Sequence, residues 1–136
     1  MSQAQDKLIG SVPARIVDGA RLLVTAYEGR VAEYNVATWL HIPGLANLPV
    51  SLLVSYRDGE KRREVNVDHG KVSATGKILL SGIARLPVRQ RIEEMQVRLR
   101  SAVPAPSLVV EEFFVQAVEP ANSDGLQACL LYTSLM

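Results

Sequence analysis

The run RVAEYNVATWLHI, Arg30 to Ile42, alternates residue by residue along its whole length. Ala32, Tyr34, Val36, Thr38, Leu40 and Ile42 fall on one side; Val31, Glu33, Asn35, Ala37, Trp39 and His41 fall on the other. A period of two belongs to an extended chain, because successive side chains of a strand point to opposite faces. A single strand cannot cover its own apolar side, so the rest of the chain must supply partners. It supplies several. ARLLVTAY stops at Glu28-Gly29, and VSLLVSY, REVNVD, KVSATGKILLSGIARL, EEMQVRLRS and SLVVEEFFVQAV follow, separated by turn residues. Between Ala20 and Val118 about seven such runs predict an all-β, immunoglobulin-like antiparallel β-sandwich.

With 136 residues, of which 48% are hydrophobic, the chain can bury one core without covalent staples. The expected organisation is an N-terminal segment over 1–19, a single β domain over 20–118, and a linker and tail over 119–136. EPANSDG, Glu119 to Gly125, has linker composition. CLLYTS, Cys129 to Ser134, resembles a peptide produced when sequencing-adaptor DNA is translated along with a gene, so the tail need not be native. Cys129 is the only cysteine, which excludes an intramolecular disulfide and a thiolate-rich zinc site.

Tyr34 to Tyr56 carries no Asp, Glu, Lys or Arg and is long enough to span a bilayer. Pro43, Gly44, Asn47 and Pro49 near its middle break a membrane helix, and the start of the chain lacks the basic and apolar regions of a secretory signal. No membrane partner is expected, and the cytoplasm is the expected location. One segment competes with the all-β pattern. Val88, Ile92, Met95, Leu99 and Val103 also form a helical stripe, with Glu94 and Arg98 four apart. Alternation through Met95, Val97 and Leu99 favours a strand over a short helix at 88–103, and such a strand could form a hairpin with the closing one.

The most charged stretch is SYRDGEKRREVNVDHG, Ser55 to Gly70. Asp58-Gly59 predicts a two-residue type I′ hairpin turn, which would place Lys61, Arg62 and Arg63 at a solvated tip. As a basic patch these three are weak. Glu60 and Glu64 dilute them, only Tyr56 is near to stack a base, and the formal net charge of the chain is +1. No strong nucleic-acid signal results. Asp68-His69 has the residue types of an acid/base pair, but neighbours on an extended chain point apart, and VDHG reads better as a turn.

Two further groups stand out. Trp39 and His41 share a side and could line a small apolar pocket, although a Trp on an early sandwich strand is more often core. In VVEEFFVQ, Val109 to Gln116, Phe113 and Phe114 must point opposite ways, so one of them needs cover outside the core. Phe114 is expected outward, because Glu112 and Gln116 share its side, and Phe114, Phe113 and Val110 form the candidate interface. No phosphate-binding loop, nucleophile elbow or HExxH motif occurs, so no catalytic residue, metal ligand or cofactor is assigned. The sequence favours a small non-enzymatic module that binds another protein or itself. The alternative is a small-molecule binding protein or hydrolase with a site near Trp39 and His41. A deep site joining His41 or His69 to a carboxylate would favour the alternative, and a flat apolar patch the first.

Overall fold

The computed structural model describes residues 5–26, 29–104 and 106–118. The strands are β1 (Gln5–Ser11), β2 (Leu23–Thr25), β3 (Gly29–His41), β4 (Pro49–Asp58), β5 (Lys61–Lys71), β6 (Lys77–Val88), β7 (Ile92–Ser101) and β8 (Val109–Ala117). One helical turn, α1 (Ala14–Val17), links β1 to β2. The first sheet has the order β1-β7-β4-β5, all antiparallel. In the second, β3 pairs β6 along one edge, while β2 and β8 share the other edge at different heights. This is the antiparallel β-sandwich that the alternation predicts. It includes a strand from the N-terminal segment 1–19, because β1 pairs β7 as an edge of the first sheet.

The alternation of β3 decides where the core lies. Ala32, Tyr34, Val36, Thr38 and Leu40 are buried and meet Val50, Leu52, Val54, Tyr56, Val97 and Leu99 of the other sheet. The two core tyrosines keep their polar ends satisfied: Tyr34 Oη donates to Val17 O (2.7 Å) and Tyr56 Oη to Pro87 O (2.8 Å). On one side the sheets close on each other. Asp68 Oδ2 accepts from Ser81 N (2.9 Å), and Gly82 leaves room for Val67 O, which a Cβ there would meet at 2.7 Å.

Several expectations change. Residues 92–101 form strand β7, so the helical stripe is coincidental; β7 pairs β4 and β1, not the closing strand β8. The β4–β5 turn is Gly59-Glu60, with Asp58 opposite Lys61. Gly59 alone has positive φ (64°), as a type II′ turn requires, in place of Asp58-Gly59 in type I′. Asp58 cannot occupy the tip because its carboxylate is buried, accepting from Arg89 N (2.9 Å) and Gln90 N (2.8 Å). Asp68, His69 and Gly70 lie inside β5 rather than in a turn, beside a bulge that leaves Val67 without a register partner.

Candidate binding face

The face of β3 turned away from the core meets the outward residues of β6 and β8. Register places Trp39 between Leu79 and Glu112, Ala37 between Ser81 and Phe114, and Asn35 between Ile83 and Gln116. His41 lies between Lys77 and Val109 in the next row. Trp39 is 40% exposed, Leu79 46% and Ile83 53%, so the one tryptophan of the chain is not core. Its side of β3 also carries Glu33 and Asn35, which the sandwich interior could not take. Trp39 and Phe114 are diagonal neighbours on adjacent strands, a spacing of about 7–8 Å. Ion pairs edge the patch: Arg85 with Glu33 (2.9 Å) and Lys77 with Glu111 (3.3 Å).

A bulge in β8 redistributes the residues of VVEEFFVQ. Trp39 pairs Glu112 but Leu40 pairs Val110, so Glu111 is the extra residue. Thr38 Oγ1 donates to Glu112 O (2.6 Å) beside it. One inserted residue moves every position beyond it to the opposite face. Phe113 and Val110 therefore both pack against the core, while Phe114 is half-buried on the outer side opposite Ala37. Of the three candidate interface residues, only Phe114 belongs to the exposed face.

The basic stretch is taken up within the chain. Arg62 pairs Glu94 (2.7 Å), which also accepts from Arg57 (3.1 Å), and Arg57 holds Glu93 as well. Glu94 reaches both arginines from a bulge in β7, where its φ is 51°. Arg63 Nε lies 3.3 Å from Asp58 Oδ2, and Lys61 is exposed beside the turn. Farther along the same sheet, Arg100 bridges Asp6 (2.7 Å) and Glu64 (2.9 Å). These bonds hold the Asp6 carboxyl below its ordinary range. Arg100 is opposite Ser51 and Glu64 opposite Ser55, so the bridge passes over Leu53, which explains why an outward leucine is fully buried.

The costs of neutralising the three basic residues should therefore differ. Lys61→Gln is expected to change stability by less than ~0.5 kcal/mol and Arg62→Gln by at most ~1 kcal/mol. Arg63→Gln should cost about 2 kcal/mol, because it strips a buried carboxylate of its cation. Urea unfolding of the three single variants measures the order.

Neither histidine meets a carboxylate in a deep site. His69 borders an open groove of about 720 Å³ with Pro49, Ser51, Lys71 and Arg100 on the other sheet, and no acidic residue lines it. The Asp68 carboxylate turns instead to His69 N (2.8 Å) and Ser81 N, so it stitches backbone. Among the described residues, no group of three or more His, Cys, Asp or Glu could hold a metal ion. No helix among them is long and apolar enough to cross a membrane. Cys129 and the linker and tail over 119–136 lie outside the described residues.

No protein-family model matches the sequence, and no curated protein is similar enough to count as a relative. The fold does occur among solved structures. The CBM22-1 xylan-binding domain of Paenibacillus barcinonensis Xyn10C superposes with a TM-score of 0.51 at 14% identity, over 74% of this chain and 83% of that one. The Clostridium thermocellum endo-1,4-beta-D-xylanase 10B, in its CBM22-1-GH10 modules complexed with xylohexaose, gives 0.49 at 15% identity, over 62% of this chain and 16% of that larger one. At 14% identity the first likeness establishes a β-sandwich, and the chain's own surface must indicate what the sandwich does.

Proposed function

We propose that this domain is a non-catalytic binding module whose recognition surface is the outer face of β6, β3 and β8, centred on Trp39. The observation that carries this is the grouping of Trp39, Leu79, Ile83 and Phe114 around small Ala37, with ion pairs at the border. An apolar centre with an aromatic anchor and a charged rim is how protein–protein interfaces are built. Another protein is the ligand this chemistry suits best. Trp39→Ala with Ile83→Asp should abolish capture of partners from a host extract by the immobilised domain. Both side chains are exposed, so stability should change by less than ~1 kcal/mol. Retention of the same partners by wild type and double variant would refute this assignment of the face.

One observation favours a second ligand class. The exposed Trp39 ring lies beside Glu112, with Asn35, Ser81 and Gln116 on the same face, which are groups able to bond sugar hydroxyls around a stacking platform. One structural neighbour is a xylan-binding domain. Slower migration of the wild type, but not of Trp39→Ala, through a native gel containing xylan would assign the face to carbohydrate.

A further inference from the structure

We infer that β8 is a docking edge for a second copy of this chain, which adds its own β8 antiparallel about a two-fold axis at Phe114. This concerns backbone at the rim of the sheet and holds whatever ligand the outer face takes. Val118 N donates to Glu33 O (3.0 Å), which makes residues 33 and 118 a hydrogen-bonded pair. Alternation along the ladder then turns the N–H and C=O of Phe113, Val115 and Ala117 away from β3.

The edges formed by β5, β6 and β1 are defended, whereas β8 touches α1 and, through Phe113 against Gly10, β1. β5 and β6 close on each other through Asp68, Ser81 and Gly82. β1 carries exposed Lys7 and a bulge at Ile9, both of which discourage pairing. From Glu112 to Ala117, β8 has no proline, no lysine and no bulge. A strand edge left this way is a template for another strand.

The sequence of β8 suits its own copy. About an axis at Phe114, Glu112 falls opposite Gln116 of the other chain, and Phe113 opposite Val115, so no glutamate faces a glutamate. The bonded pairs are Phe113 with Val115 and the reverse, each exchanging two backbone hydrogen bonds. The bulge at Glu111 ends the ladder, and the two Phe114 rings meet on the outer face. Isologous contacts of this kind close at two copies.

Sedimentation of the full chain tests it. Wild type should sediment as a dimer, and Phe114→Lys and Phe114→Asp each as folded monomers, because like charges would face one another across the axis. An equal mixture of the two variants should restore the dimer, now mixed. A monomeric wild type, dimers of either single variant, or a mixture that stays monomeric would each overturn the proposal. Ile83→Asp lies on β6, away from this edge, and should remain dimeric while losing capture by the outer face. Failure of the dimer is thereby separable from failure of the binding face.

Discussion

Asp58→Ala should destabilise the domain by about 3 kcal/mol in urea unfolding, with the denaturant slope unchanged. Asp58 ends β4 with its side chain buried, and its carboxylate gathers the N–H groups of Arg89 and Gln90 in the β6–β7 turn. It also faces Arg63 of β5. Two strands and a turn thus converge on one side chain. Alanine would strand two backbone donors and a partly buried guanidinium. Asp58→Asn keeps the shape and one acceptor, and should cost roughly half as much.

The same residue gives stability a pH dependence. Burial alone would raise the Asp58 pKa, but the backbone bonds from Arg89 and Gln90 and the charge of Arg63 outweigh it, and the pKa lies below its ordinary 3.8. A carboxyl depressed on folding contributes stability that is complete above its unfolded pKa and is lost as pH falls through the folded one. The wild type should therefore weaken progressively below about pH 4. Asp58→Asn should flatten that acid limb without abolishing it, since Asp6 and Glu93 are also depressed. An unchanged limb in Asp58→Asn would mean that the carboxylate is not bonded as described.

Tyr34→Ala is the other large effect, expected at about 4 kcal/mol, because it empties a fully buried aromatic site on the central strand. Tyr34→Phe separates packing from bonding. It keeps the ring but removes the donor to Val17 O, at a cost of about 1–2 kcal/mol. Burial, with the Asp18 charge nearby, pushes the Tyr34 hydroxyl pKa well up, so it stays a neutral donor at any ordinary pH. Hydrogen exchange should quicken at Val17 and Asp18 in Tyr34→Phe, while Val36 and Leu40 in the core keep their protection. Equal loss of protection across β3 would show that the hydroxyl serves the whole core rather than α1.

Regular alternation was legible and local irregularity was not. From Ala32 to His41 the inward and outward sets of β3 follow the sequence, because period two over so long a run leaves one solution; Val31, read as outward, is fully buried. The outward position of Trp39 followed from the same list, since it shares a side with Glu33 and Asn35; analogy with buried tryptophans in other sandwiches pointed the wrong way. The bulge at Glu111 left no mark in composition, yet it moved Val110 from the side of Phe114 to the side of Phe113. β1 was hidden because QDKLIGS, with charges at one end and a bulge, shows no clean alternation. The turn slipped by one position because Asp58 has a buried task that a dipeptide signal cannot reveal.

Trp39 fluorescence tests the central claim most directly, because Trp39 is the only tryptophan and stands at the middle of the proposed face. In the free protein its emission should be that of a partly hydrated indole, open to quenching by acrylamide. When the captured partner is added back in excess, quenching of Trp39 should fall and its emission shift to the blue. A partner that binds while Trp39 remains as quenchable as before would place recognition elsewhere on the molecule and contradict the account.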